Sequence, residues 1–316
     1  MKQLLVCILF LSFSIQAQDY TSVDVKVKRY PAYNSAQRLA NKIESDFNND
    51  GDKIRAVFIW LTENIRYDLD EYLNPSNRSI GFRYRTEKEK QLKLQQIKDQ
   101  IVDETFSTKS SVCEGYAQSF KKVCDLLDIE SVVVKGYARN SSNEIGIIPR
   151  NSNHAWNAVR IGRKWQLIDA TWAAGYAMNG EWEKHFNNYY FYPNPTDLLR
   201  SHYPDNSSWQ LVRNPISKKA YADQPIIGQG FFQKNLQLLS PRNGVIKKKE
   251  SVEFKIKNLK TTDTVSYVFK DEQYGKRVTT NHNKSIASFS INMQHKRNTE
   301  LYIFINNEIA LEYKIR

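Results

Sequence analysis

The chain is 316 residues long, 41% of them apolar and 12% aromatic, which is material for two packed domains of about 150 residues each. Its formal charge of +12 is scattered, with short basic runs at Lys218–Lys219 and Lys247–Lys249. That distribution predicts a solvated surface and no nucleic-acid module, and leaves weak attraction to an anionic cell-surface polymer as the one charge-driven partner.

Residues 1–17, MKQLLVCILFLSFSIQA, hold one Lys, a continuous apolar run and a small residue at the end. This is the layout of a signal peptide, and the run is shorter than the roughly 20 residues that span a bilayer. No later stretch approaches that length, so the mature chain is expected to be secreted or periplasmic, with no transmembrane segment. Cys7 lies inside the apolar run with no small residues ahead of it, which argues against a lipoprotein. Removal of the leader leaves Cys113 and Cys124. On one helix they would stand about 16 Å apart, whereas a disulfide needs Cα atoms within about 7 Å. Both are expected to be free thiols, and a free thiol in an exported protein raises the prospect of a reactive one.

In chain order, the alternating VDVKVKRY within residues 20–34 predicts a short edge strand or extended arm. Leu39, Ile43 and Phe47, four apart, predict a helix from Ser35 to Phe47. In DFNNDGDKIRAVFIW, Asp46, Asn48, Asp50 and Gly51 follow the first half of a calcium loop. The twelfth position is Val57, however, where that loop needs a bidentate Glu. The better reading is a polar turn that starts a central apolar helix, Asp52 to Ile65. Asn74 to Arg85 reads as a loop and Thr86 to Glu104 as a charged surface helix. The aromatic stretch after Thr171 predicts irregular structure wrapped over a core, with His185 and His202 as packing or surface residues.

DQPIIGQG, at 223–230, marks a boundary. From about Leu236 the segments SVEFKIKNL, TVSYVF, IASFSINM, ELYIFINN and IALEYKI have period two and predict a small antiparallel β-sandwich. It holds only two isolated histidines, His282 and His295, which suits binding or positioning better than catalysis. The expected domains are a signal peptide at 1–17, a catalytic domain at 18–232 and a β-sandwich at 233–316.

The chemistry concentrates between Ser110 and Tyr176. Ser111 and Glu114 form an S-x-x-E pattern that predicts a capping box, with Cys113 at the second helical position. A helix N-terminus stabilises a thiolate, which is a reason for a nucleophile to sit there. Cys124 falls on the same face three turns deeper and reads as core. Gly115 costs helix stability, and close approach of another backbone, expected to be the histidine strand, would compensate. HAWNAVRI-GRK-WQLIDAT predicts a hairpin turning at Gly162-Arg163. Ala158 then opposes Leu167, and His154 and Asp169 become diagonal neighbours on one face. Aspartate, imidazole and thiol in that order are the orienter, base and nucleophile of a triad. The competing readings are a buried His–Asp pair with a structural Cys, and a zinc site from Cys113, Cys124, His154 and Asp169, which lacks the usual short ligand spacing.

VCEGYAQSFKKVCDLLDIESVVVKGYA followed by NHAWNAVRIGRKWQLIDATWAAGY resembles the transglutaminase-like superfamily, of the bacterial and kyphoscoliosis-peptidase type. KIRAVFIWLTENIRYD upstream and HYPDNSSWQL downstream extend the likeness over roughly residues 35–225. The resemblance implies a papain-like α+β fold, with the Cys helix packed on an antiparallel sheet, followed by an immunoglobulin-like tail. It makes Cys113 the nucleophile, His154 the base and Asp169 the orienting acid. The substrate would be a protein or peptide amide cleaved through a thioester, with no cofactor and no metal. The Cys113 backbone N–H would form an oxyanion hole with a second donor, for which Tyr67, Asn64 and Trp156 are candidates. The alternative is a binding or scaffold module that keeps the fold but not the turnover.

Overall fold

The structure is a computed structural model that describes residues 19–74, 81–247, 249–294 and 298–316. The leader with Cys7, residues 75–80 of the Asn74–Arg85 loop, Lys248 and His295 lie outside the described residues.

The first segment is a helix, α1 (Thr21–Val27), where alternation suggested a strand. Val23 and Val27 are four apart and both buried, and so short a run of valines satisfies either period. An ion pair decides for the helix. The buried guanidinium of Arg55 donates to both Asp24 carboxylate oxygens at 2.7 and 2.6 Å, and to Asn188 Oδ1 at 2.5 Å. Helix α2 (Ala36–Asp46) is capped by Ser35, and α3 (Asp50–Asn64) by Asn49, whose side chain accepts the Asp52 N–H at 2.9 Å. Asp46 is engaged by Tyr30 at 2.6 Å and Lys42 at 3.0 Å, so this turn is built as a helix start. Lys53 to Thr62 are all buried, which makes α3 the central helix.

Strand β1 (Arg66–Tyr67) and helix α4 (Leu69–Leu73) lead to α5 (Glu87–Thr108), which lies partly on the surface and stacks Phe106 on Trp60 at 5.0 Å. A left-handed Lys109 ends α5 and delivers β2 (Ser110–Ser111) alongside β1 in parallel. Helix α6 (Cys113–Leu126) follows, then β3 (Ser131–Ala138), β4 (His154–Ile161) and β5 (Lys164–Ile168). Helix α7 (Ala170–Ala174), the hairpin of β6 (Gly175–Met178) with β7 (Glu181–Lys184), and β8 (His202–Pro204) complete the region.

The sheet runs β5-β4-β3-β8, antiparallel throughout. Its hairpin register is the one the turn dictates: Gly162 takes φ +56 and Ala158 faces Leu167. Helix α6 buries Tyr116, Phe120, Val123 and Cys124. Asn157, 1% exposed, reaches from β4 to the Ala117 carbonyl at 3.0 Å, which pins helix to sheet by a hydrogen bond as well as by apolar burial.

The remaining strands are β9 (Ile226–Ile227), β10 (Gln237–Ser240), β11 (Val245–Ile246), β12 (Ser251–Lys257), β13 (Val265–Phe269), β14 (Lys276–Val278), β15 (Asn281–Asn283), β16 (Ile286–Asn292), β17 (Thr299–Ile305) and β18 (Glu308–Ile315). They form one sheet ordered β10-β12-β16-β15 and another ordered β11-β18-β17-β13-β14, with β9 added beside β18. A hydrophobic cluster from Phe231 to Ile315 fills this region, separate from the cluster that spans Val23 to Leu198.

Candidate active site

Cys113 is the first residue of α6 and is partly exposed. The expected capping box is absent, because the cap is Val112 and no side chain bonds there. Ser111 is held in β2 opposite Tyr67, so it cannot serve. Glu114 turns instead to Gln118 at 2.9 Å and Lys135 at 3.3 Å. Gly115 does not make way for the histidine strand. A Cβ there would lie 1.8 Å from Ser111 Oγ and 2.5 Å from Thr105 Oγ1, so its smallness lets α5 and β2 pack under the start of α6.

Asp169 follows β5 and caps α7, Oδ1 accepting the Trp172 N–H at 2.9 Å. That fixes the carboxylate and aims Oδ2 at the sheet. His154 opens β4 and meets Oδ2 through Nε2 at 2.7 Å. A second imidazole reaches the same oxygen: His202 Nε2, on β8, lies 2.9 Å away. Sequence reasoning missed His202. Its strand is three residues long and gives no period, and nothing in the spacing pairs it with Asp169, 33 residues earlier.

The register explains how the two imidazoles meet. Gly136 on β3 opposes His154 on one side, and Ala138 opposes His202 on the other, so both rings rise from one face. Gly136 is needed here, since a Cβ would come within 2.3 Å of the Tyr203 carbonyl and 2.6 Å of the Trp156 ring. Any larger residue would push β8, and His202 with it, off the sheet.

Protonation follows from burial and charge. Asp169 is 1% exposed. Burial alone would raise it, but the charge of His154 and hydrogen bonds from both imidazoles hold it well below the usual carboxylate range. Burial lowers His154, yet the Asp169 charge and hydrogen bond, with those of the Cys113 sulfur, push it up to about 10. His202 goes the other way: burial outweighs Asp169 and it is lowered. One carboxylate therefore holds one imidazolium and one neutral imidazole. His202 Nδ1 lies 2.8 Å from Ser201 Oγ, so it accepts from that hydroxyl while Nε2–H donates to Asp169. The ligand atoms of His154, Asp169 and His202 lie within 4.8 Å of one another, close enough for a metal. Both Nε2 atoms already share Oδ2 through protons, however, and the set fits a hydrogen-bond network better than an ion. Cys124 is fully buried, and Cys113 and Cys124 are unpaired.

His154 lines a cleft of about 320 Å³ whose walls include Tyr67, Tyr72, Trp172, Tyr176 and Trp182. Burial pushes the Tyr67 hydroxyl up, and the nearby Cys113 adds to it. Of the other oxyanion-donor candidates, Asn64 donates to the Trp60 carbonyl at 2.9 Å, and the buried Trp156 Nε1 has no partner.

Residues 37–170 match the model of the Transglutaminase-like superfamily, and this part of the chain has mixed α and β structure. Among known proteins the chain is similar to the kyphoscoliosis peptidase of Homo sapiens, 24% identical over 239 residues that cover 75% of this chain and 33% of that protein. It is also similar to hillarin of Drosophila melanogaster, 24% identical over 42% of this chain and 18% of the other. The periplasmic domain of TgpA from Pseudomonas aeruginosa aligns at 15% identity over 49% of each chain, with a TM-score of 0.29. The chain thus spans about a third of the length of the kyphoscoliosis peptidase. No helix of the described residues is long and apolar enough to cross a membrane.

Proposed function

We propose that this protein is a cysteine hydrolase or acyltransferase that acts on protein or peptide amides. Cys113 would be the nucleophile, His154 the base and Asp169 the group that orients the base. The observation that carries this is the placing of His154, held at Nε2 by a buried carboxylate and acted on from Cys113 by hydrogen bond and charge, on the wall of an open cleft.

The chemistry then runs in two halves. Cys113 Sγ, whose proton already rests on the His154 imidazolium, attacks the amide carbonyl, and the oxygen takes the negative charge. Backbone N–H groups at the start of α6 lack intrahelical partners and are suited to that oxyanion. The Tyr67 hydroxyl is the second donor favoured here, because Tyr67 lines the cleft and feels Cys113. Collapse gives the thioester as the C–N bond breaks, and His154 returns the proton to the leaving nitrogen. Water or an amine resolves the thioester, giving acid or new amide. Asp169 stays ionised throughout and keeps the imidazole in place.

The fold would be papain-like, with the C-terminal strands as an immunoglobulin-like sandwich from about residue 233, and the leader at 1–17 would direct export. The test is brief incubation with a glutamine-containing peptide, acid quench and intact-mass measurement. An acyl adduct on Cys113, lost on hydroxylamine treatment and absent in His154→Gln, is the expected result. Alkylation by iodoacetamide at equal rates on Cys113 and Cys124, with no adduct, would favour the scaffold reading.

A further inference from the structure

A second cavity, of about 170 Å³, shares Trp172 and Asn140 with the cleft and reaches the C-terminal strands at Ile309 and Glu312. Its wall holds two guanidinium groups, Arg139 and Arg200. Arg139 is 2% exposed; its terminal nitrogens donate to the carbonyls of Ala222 at 3.0 Å and Gln224 at 2.9 Å, and its Nε has no partner. Arg200, on the same lining, donates to Gln224 Oε1 at 2.5 Å. Neither guanidinium forms a direct ion pair among the described residues: Arg139 lies over the Tyr221 ring at 4.6 Å, and Asp197 acts on the half-buried Arg200 through its charge alone. Glu312 is the one carboxylate on the lining; it accepts the Ser142 N–H at 2.9 Å, and burial pushes it towards the neutral form. Tyr189 adds a buried hydroxyl with no partner, its ring stacked on Phe232 at 5.2 Å.

Two guanidinium groups on one wall, with two buried donors that lack an acceptor (Arg139 Nε and the Tyr189 hydroxyl), describe a site for an anionic acceptor. The walls decide which kind. Phe232, Ile309 and Trp172 offer apolar surface, so the ligand should carry an apolar body. A planar two-oxygen group also suits a guanidinium fork better than a hydrated polyanion does.

We propose that this cavity binds a carboxylate that carries an aromatic or aliphatic body. Arg200, Arg139 Nε and the Tyr189 hydroxyl take the carboxylate, and Phe232, Ile309 and Trp172 hold the body. Free small acids and the C-terminal residue of a peptide share this chemistry. Trp172 packs edge-on to His202 at 4.5 Å and tilted on His154 at 5.7 Å, so occupancy reaches the network around Asp169. The binding claim stands on these residues alone and survives if the thiol chemistry does not.

Calorimetric titration of the full chain with N-acetylphenylalanine and with its amide tests this. The acid should bind at least about tenfold more tightly than the amide, a difference of one decade in Kd. Arg200→Gln should erase that preference. So should Ile309→Glu, which places a negative charge on the cavity wall at a position 46% exposed. Equal affinity for acid and amide, no measurable binding of the acid, or a preference unchanged in both variants would overturn the proposal. A longer peptide ending in the same free residue separates the two sources. Tighter binding than the acid identifies a peptide C-terminus as the occupant, and weaker binding identifies the small acid.

Discussion

The two ends of α6 carry the same side chain in opposite surroundings. Cys113 and Cys124 lie within about 20° of each other on a helical wheel, three turns apart. The first is partly exposed at the helix start, and it acts on an imidazole fixed by a buried carboxylate. The second is 0% exposed beside Phe120 and Val123, and burial pushes its thiol well above the usual range. The helix does not distinguish them; the sheet does. β4 begins with His154 beneath one end and presents Ala158 and Val159 to the core further along. On the proposed reading, the neighbouring strand makes one thiol the nucleophile and leaves the other as core.

The comparison would break if the two thiols proved interchangeable. Cys113→Ala should lower peptide-amide turnover by about a thousandfold or more, the order lost with a nucleophile. Its unfolding free energy in urea should stay within about 0.5 kcal/mol of the parent, because the side chain is partly exposed. Full activity in that variant would place the nucleophile elsewhere.

Asp169→Asn comes next, at about a thousandfold in turnover, because an amide NH2 aimed at two imidazoles forces His154 into the wrong tautomer. The same contact has a stability signature. His154 is raised from 6.5 to about 10, so between those values the folded chain keeps a proton that the unfolded chain has lost. Stability from this pair is complete below pH 6.5 and is lost as pH rises through about 10. Urea midpoints from pH 6 to 10.5 should fall in the parent and stay flatter in His154→Gln; matching slopes would remove His154 from the network.

At the other end of the helix, Cys124→Ala should cost about 1–2 kcal/mol in urea unfolding and leave turnover within about twofold. A buried sulfur replaced by hydrogen leaves a small void, and Cys124 is not among the residues that line the cleft. Loss of activity without loss of stability would reverse the assignment of the two thiols.

How much of this was legible depended on how local the determinant was. The hairpin register followed from the two-residue turn at Gly162-Arg163, and with it the diagonal of His154 and Asp169. The free state of the cysteines followed from helix length alone. The start of α6 was misread because Ser111, a good cap by type, is held by its pairing with Tyr67, a residue 44 positions earlier. The helix at Thr21–Val27 was misread because its decisive contact is Arg55 on α3. His202 was invisible for the same reason: β3 brings it to Asp169, and only Gly136 allows the approach. Local pattern reports local geometry, and each miss turns on a partner distant in sequence.

His202 also gives the smallest effect and the sharpest discrimination. If it only packs, His202→Gln should alter stability and leave the activity profile alone. If it steadies Asp169, the glutamine amide keeps one donor to Oδ2 but loses the acceptor for Ser201, and turnover should fall about tenfold. The pH dependence separates the cases. His202 is lowered by burial, so in acid the unfolded chain takes up a proton that the folded chain refuses. Stability from its neutral form is present above pH 6.5 and is lost as pH falls below it. His202→Gln should flatten that acid limb and leave the alkaline limb, which belongs to His154, in place. One carboxylate oxygen therefore bounds the pH range from both sides, through two imidazoles that its surroundings drive in opposite directions.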